Sequence, residues 1–296
     1  MLNLESLKRK IKSADELQSV VKTMKVLAAA AIRQYERAVE SLAEYDRTVE
    51  MGLQILLQAR PESEIILEGT STGRWGVIIY GSDQGMVGQF NTQIVSHAMK
   101  TLRDLQVNPE DLSILVLGER MVGLLEEEGQ NIEEHLSFPG TLEGITGVLQ
   151  EILGIIDRWR MERQVEQIVL FYNKPLSQAT YSPQQQYLLE IDPEWVKDLR
   201  KREWPSRVLP TFTMEWEQLF AAFIRQYFFV VLYRAFVESL ASENASRLSS
   251  MQAAEKNIRD LLEELTVQYN QERQNSITSE ILDIVAGFEA MTGQKR

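Results

Sequence analysis

From Met1 to residue 51 the chain contains neither Gly nor Pro. Across this stretch apolar residues recur at Leu4, Leu7, Ile11, Ala14, Leu17, Val21, Met24, Ala28, Ala31, Tyr35, Ala38, Leu42, Tyr45 and Val49, continuing to Leu53 and Leu56. The steps alternate between three and four, with a one-residue slip at Leu17. Lys, Arg, Glu and Gln fill the positions between. Such a pattern predicts a coiled-coil helix, far longer than an ordinary globular one. At 1.5 Å per residue it would run roughly 80 Å. The C-terminal third behaves in the same way. No Gly or Pro falls between Pro210 and Gly287, and Val237, Ala241, Ala245, Leu248, Met251, Ile258, Leu262, Leu265 and Tyr269 mark a second seam. That helix could reach on the order of 110 Å. Two long helices at opposite ends of one chain pair when the middle folds the chain back. The small residues from Ala28 to Ala31, with Ala241, Ala245, Ala253 and Ala254, would let the backbones approach closely.

The middle has a different period. Residues 75–80 (WGVIIY), 113–117 (SILVL) and 167–172 (QIVLFY) are short apolar runs that suit parallel strands buried on both faces. Helical patterns lie at 92–105, 121–128 and 142–160, and a further strand is expected at an edge over 186–191 (QYLLEI). Alternating strands and helices predict a small α/β domain. Segments 60–73 and 192–210 hold Pro61, Gly69, Gly73, Pro193, Pro205 and Pro210, and read as its linkers to the helices. The expected architecture is a long antiparallel coiled coil of N- and C-terminal helices with an inserted Rossmann-like α/β domain. Its segments are 1–58, 74–195 and 211–290.

Composition narrows the functions. The formal net charge is -12, which argues against a general nucleic-acid binder, since that needs a basic face to displace counterions from phosphates. Lys8, Arg9, Lys10 and Lys12 form the one dense basic cluster. They read either as a partner-binding patch or as a solvated helix end, placed where cations oppose the helix dipole. Cysteine is absent from the sequence, which removes disulfides and cysteine-metal sites. No uninterrupted apolar run approaches the ~20 residues that span a bilayer. The richest, 227–233 (YFFVVLY), is bracketed by Arg225 and Arg234, and fits a helix passing the α/β domain and the N-terminal helix together. The N-terminus has no apolar signal core. The chain is expected to be cytosolic and soluble.

Candidate chemistry is sparse. Gly81-Ser82-Asp83-Gln84-Gly85-Met86-Val87-Gly88 follows the first strand, where nucleotide-binding turns sit. It lacks the Gly-Lys-Ser/Thr ending of a P-loop, the G-x-G-x-x-G of a dinucleotide fold and the G-x-S-x-G of a nucleophile elbow. A tight turn, with Asn91 or Thr92 capping the next helix, is favoured. His97 and His135 stand beside no carboxylate cluster at metal spacing and read as surface chemistry. The acids at 126–128 and at 133–134 read as the solvated end of a charged helix. Neither catalytic residues nor a metal or cofactor site is expected.

The ends carry specific motifs. Residues 7–33, LKRKIKSADELQSVVKTMKVLAAAAIR, resemble I-K-x-K-I-x-S-x-x-x-T-x-K-I-T-x-A-M-x-M-V-A-A-x-K of the F-type ATPase gamma subunits. From Phe236, FVESLASENASRLSSMQAAEKN and then QYNQERQNSITSEILDIVAG resemble that family's V-E-S-x-A-S-E-x-A-A-R-M and Y-N-x-x-R-Q-x-x-I-T-x-E-I. YGSDQGMVGQFN and FYNK are similar to its S-D-x-G-L-C-G-x-F-N and Y-N-x-F. The likeness runs in order over essentially the whole chain. The branch is divergent: Glu255-Lys256-Asn257 replaces T-D-N, the lysine that ends the first motif is replaced by Ile32 or absent, and Phe212-Thr213-Met214 stands at the F-E-P footing.

The resemblance implies a non-catalytic central rotor shaft. ATP chemistry would occur on beta subunits, and rotation would couple it to ion flow through a membrane c-ring. The implied partners are an alpha3beta3 hexamer, an epsilon subunit and the c-ring, with no nucleic acid. The implied position is peripheral, on the cytoplasmic face of a membrane. Rotor–stator contacts are implied at Met24, Arg247, Arg273, Gln274, Thr278 and Glu280. A coiled-coil scaffold unrelated to ATPases would account for the helices but not for R-Q-x-x-I-T-x-E. An enzyme built on a Rossmann-like domain would have to bind a nucleotide within 74–195.

Overall fold

A computed structural model describes residues 4–60, 73–177, 180–188 and 193–293. In chain order the elements are α1 (Leu4–Gln58), β1 (Trp75–Tyr80), α2 (Phe90–Asp104), β2 (Leu112–Leu117), α3 (Glu119–Glu127), β3 (Glu134–Leu136), α4 (Leu142–Glu162), β4 (Gln167–Ser177), β5 (Thr180–Tyr187), α5 (Pro193–Lys201) and α6 (Trp216–Gly293). The chain divides into two compact units, Met1–Leu27 with Leu248–Arg296, and Ala28–Arg247. Helices α1 and α6 contribute to both.

In the unit of residues 28–247 the sheet order is β3-β2-β1-β4-β5. β1 pairs in parallel with β2 and β4, β2 pairs in parallel with β3, and β5 closes the edge antiparallel to β4. Successive strand residues point to opposite faces, and both faces are covered. Val77, Ile79, Ile114, Val116, Val169 and Phe171 pack on α2 and α3 through Ile94, Ala98, Met121 and Leu125. Ile78, Tyr80, Leu115, Leu117 and Leu170 pack on Leu149, Ile152, Ile156 and Trp159 of α4, and on Phe228, Leu232 and Phe236 of α6. That double burial is why these strands read as continuous apolar runs rather than alternating ones. The 227–233 band joins the second layer, with Tyr35, Ala38 and Val39 of α1 packed against the same cluster. Part of α6 also forms an 18-residue window apolar enough, by length and composition, to cross a membrane; the sequence contains no uninterrupted run of that kind, and Phe228, Val230, Leu232 and Phe236 of the helix are buried inside the protein.

α1 and α6 run antiparallel within this unit. Tyr45 OH donates to Gln226 Oε1 at 2.7 Å, and Trp216 Nε1 donates to Leu56 O at 2.9 Å. The seam corrects the expected slip. Buried positions fall at Ala28, Ile32, Leu42, Val49, Leu53 and Leu56, with Tyr35, Val39 and Asp46 half-buried, in unbroken steps of four and three. The unit of 1–27 and 248–296 keeps the same rhythm: Leu7, Ala14 and Val21 are buried, and Leu4, Ile11, Gln18 and Lys25 are half-buried. Leu17 is 57% exposed and Tyr45 43%. Their expected places are taken by Gln18 and Asp46, and Lys25 takes that of Met24. Polar residues hold the seam because they find partners. Lys25 Nζ meets Glu255 Oε2 at 2.5 Å, and Asp46 pairs with Arg234. On α6, Met251 and Leu265 are buried, with Leu248, Glu255, Ile258, Leu262 and Tyr269 half-buried between and beside them.

Three further expectations change. The acids at 133–134 do not end a helix: Glu134 lies in strand β3 and pairs with Arg158 at 2.6 Å, while Glu133 pairs with Arg163 at 2.9 Å. The edge strand occupies Thr180–Tyr187 rather than 186–191, whose last three residues lie outside the described ones. The linker expected over 192–210 contains helix α5, whose Val196 and Leu199 are buried with Leu42, Val49, Leu53 and Leu57 of α1. Residues 61–72 of the other linker also lie outside the described residues.

Candidate functional site

In an open α/β sheet, ligands bind beyond the carboxyl ends of the strands, where the strand order reverses. Here that point lies between β1 and β4. β1 leads by α2 to β2 on one side, whereas β4 is reached by α4 on the other. The turn after β1 is tied down throughout. Gly81 N donates to Leu117 O at 2.9 Å, and Ser82 Oγ donates to Gln84 O while accepting from Asn91 Nδ2. The Asp83 carboxylate accepts the amides of Glu119 at 3.0 Å and Phe138 at 2.9 Å. Gly118, at φ +106°, lets the start of α3 lie on the Ser82 backbone, and Arg120 N donates to Ser82 O at 3.1 Å. Asn91 and Thr92, the expected caps of α2, do not cap it. Gln89 is its N-cap without a side-chain bond, Asn91 reaches back to Ser82, and Thr92 Oγ1 donates to Gln89 O.

The chain's own helix fills the crevice. Ser242 Oγ donates to Asn173 O at 2.9 Å on β4, and Ser246 Oγ donates to Val87 O at 2.5 Å in the turn. Asn173 Nδ2 in turn donates to Phe90 O at 3.2 Å. Ser239, Ser242 and Ser246 are all buried. Where a nucleotide fold would offer amides and a lysine to phosphate, this turn offers a carbonyl already taken by a serine and the carboxylate of Asp83. An anion placed there would meet like charge.

Beside this contact α6 carries buried charge. Glu243 Oε1 meets Arg247 Nη2 at 2.5 Å, and both side chains are buried. Burial pushes the Glu243 carboxyl up, against the opposing pull of Arg247. Burial likewise raises Glu238, offset by Lys174, Tyr172 and Arg234. Buried ion pairs of this kind are costly to break from one side, because the remaining charge is stranded in low dielectric. His97 is more than surface chemistry: it is half-buried, edge-on to Phe171, and burial with nearby Lys100 pulls its pKa down. His135 is half-buried in β3.

The six residues implied as rotor–stator contacts occupy different environments. Met24 is half-buried on α1. Arg247 is buried and engaged with Glu243. Arg273, Gln274, Thr278 and Glu280 are exposed on α6, and Thr278 Oγ1 donates to Gln274 O at 2.9 Å along the same helix. Positions three, four and seven apart share a helix face, so Arg273, Ile277, Glu280, Ile281 and Ile284 form one surface. The apolar members, Ile284 at 71% exposure among them, are not among the expected contact residues. Their signal lies in the sequence, since 277, 281 and 284 keep the helical spacing past the last buried seam residue. On α1, Arg33 and Arg37 line an open groove of about 680 Å³ together with Gln34, Leu142 and Tyr233.

Comparison with known proteins finds one family along nearly the whole chain. A family profile described as ATP synthase matches residues 3–291. The ATP synthase gamma chain of Synechococcus elongatus is 27% identical over 321 residues, covering 99% of this chain and all of the relative. That of Nitrosomonas eutropha is 24% identical over 295 residues, covering 98% and all of it. Among solved structures, a chain of the Euglena gracilis mitochondrial ATP synthase (OSCP/F1/c-ring) superposes with a TM-score of 0.67 at 16% identity, over 99% of this chain and 96% of that one. A chain of the Tetrahymena thermophila mitochondrial ATP synthase central stalk/c-ring gives 0.58 at 21% identity, over 79% and 99%. The match over nearly the whole length, to a family profile and to gamma chains covered end to end, places the chain plainly: it belongs to the ATP synthase gamma-chain family.

Proposed function

We infer that this chain is the central shaft of a rotary ATP synthase, a non-catalytic subunit that carries torque between a membrane c-ring and beta subunits where ATP is made or hydrolysed. The observation that carries this is the heptad seam of α1 and α6, with its polar positions paired across it. A rod under torque needs fixed register, and ion pairs in a seam supply it by making any slipped register strand a charge. The filled crevice agrees with a sheet domain that serves as a body rather than as a nucleotide site.

The partners are an alpha3beta3 hexamer, an epsilon subunit and the c-ring, and association with the membrane is peripheral, on its cytoplasmic face. Residues 1–58 and 211–290 act as the shaft and 74–195 as the body seated toward the ring. Arg273, Gln274, Thr278 and Glu280 contact the hexamer directly, with Met24 lower on the shaft. Arg247 is held by Glu243 inside its own unit. Reconstitution with alpha and beta subunits tests this: the chain should bind the hexamer and stimulate its ATPase, and neither binding nor stimulation would refute the shaft function.

A further inference from the structure

The segment 202–215 joins α5 to α6 and carries a group of exposed apolar side chains, Val208 at 75% together with Leu209, Phe212 and Met214. A force entering there has two ways into the shaft. One is direct, into α6. The other passes through α5 into α1, and its joints are well made. Gln54 Nε2 donates to Arg202 O at 2.6 Å, Gln58 Nε2 donates to Arg200 O at 3.0 Å, and Arg202 Nη1 meets Glu50 Oε2 at 2.6 Å. Residues 50, 54 and 58 stand four apart, so one stripe of α1 grips the C-terminal end of α5. Those carbonyls are among the groups that a helix end leaves without internal partners. Arg200 Nη2 returns the grip by donating to Arg60 O at 3.0 Å.

Gln54 is informative because it is buried, beside the cluster of Val49, Leu53 and Leu57. A buried amide is costly unless it is bonded, whereas leucine at that place would need no partner. Its presence specifies where the end of α5 sits. Towards α6 the joint is aromatic and apolar: Trp195 lies 5.1 Å from Tyr227 by ring centroids, and Val196 and Leu199 share a cluster with Val230. α1 and α6 are also joined directly, by Trp216 to Leu56 and by the ion pair of Arg60 with Glu217, where the Arg60 guanidinium lies 4.3 Å over the Trp216 ring.

We propose that α5 is a torsional clasp, which shares load entering at 202–215 between α1 and α6 so that the pair turns as one body. This rests on the shaft function proposed above. Gln54 and Gln58 are then positioning residues for torque transfer, with no part in ATP chemistry.

The test uses the full chain in complex with alpha and beta subunits, the hexamer fixed to a surface and a bead attached through Val208→Cys. Cysteine is otherwise absent from the chain. Angular fluctuation of the bead in the stalled complex reports torsional stiffness. Gln54→Ala/Gln58→Ala should raise the angular variance, by at most about two-fold, because two of the joints into α1 are lost while Arg202 with Glu50 and the direct contacts of α1 with α6 remain. The ATPase rate of the complex should stay unchanged. Arg202→Ala, at a half-exposed joint, should raise the variance less, and it decides the matter should the double variant fail to assemble. Unchanged variance in the assembled variants overturns the clasp, while α5 remains a cover over the α1 cluster. A parent complex that hydrolyses ATP without turning the bead instead removes the shaft function, and the clasp with it.

Discussion

Gly118→Ala tests how the turn after β1 is built. The residue sits at φ +106°, and a Cβ there would lie 2.7 Å from Ser82 N and 2.8 Å from both Ser82 C and Ser82 O. The backbone conformation alone costs an L-residue about 1–3 kcal/mol. The overlap is with backbone, so no rotamer change relieves it, and crowding of this kind adds ~1–3 kcal/mol. Against this, the narrower unfolded ensemble of alanine contributes about 0.4–1 kcal/mol in the opposite direction. The net expectation is a loss of about 1–6 kcal/mol. Gly123 is the internal control. It lies in α3 only five residues on, is exposed, and has nothing within 4 Å of an added Cβ. Gly123→Ala should therefore stabilise by up to about 1 kcal/mol through helix propensity. Urea unfolding of the full-length chain, followed by circular dichroism, measures both. A Gly118→Ala loss below about 1 kcal/mol, or the same sign for the two substitutions, would refute the close approach of α3 to Ser82.

Three further outcomes follow from the buried charges and the exposed helix. Burial raises Glu238, so its folded pKa lies above its unfolded one. The stability it contributes is fullest below the unfolded value and is lost as pH rises through the folded value. Glu238→Gln should flatten that decline over the window just above the ordinary glutamate range, and an unaltered slope in urea midpoint against pH contradicts the assignment. Asp46→Ala strands Arg234 at the seam and should cost about 1–2 kcal/mol, discounted because the arginine side chain is 42% exposed. Replacing both by leucine should recover most of it in thermal melts, and no recovery would show that the pair is not what fills the seam. Arg273→Ala should leave hexamer assembly intact, since one charge-assisted hydrogen bond is worth roughly 1.5–3 kcal/mol; complete loss of co-purification would mean that a single contact dominates.

Much of the fold is legible in the sequence because its physics is local. β1 is readable to the residue as Trp75–Tyr80, an apolar run stopped by Gly81 and flanked by Arg74. What escapes depends on partners distant in sequence. Glu134 looks solvated until Arg158, on α4, lies beside it in β3. Lys25 and Asp46 look unfit for a seam until Glu255 and Arg234 face them, so a reading by apolar spacing alone slips to their neighbours Met24 and Tyr45. α5 begins at a proline within a stretch that reads as a linker, and the α1 glutamines that hold it do not show in its own nine residues. The contact surface divides in the same way. Arg273, Gln274, Thr278 and Glu280 are exposed as the motif implies, whereas Arg247 is buried because Glu243, one turn earlier, claims it.

The central claim is that this chain turns. With the alpha3beta3 hexamer fixed to a surface and a bead carried by this chain, added ATP should drive continuous rotation in one direction. That rotation should stop when ATP is removed. Hydrolysis by the same complex with the bead motionless, or moving only by undirected fluctuation, would contradict it.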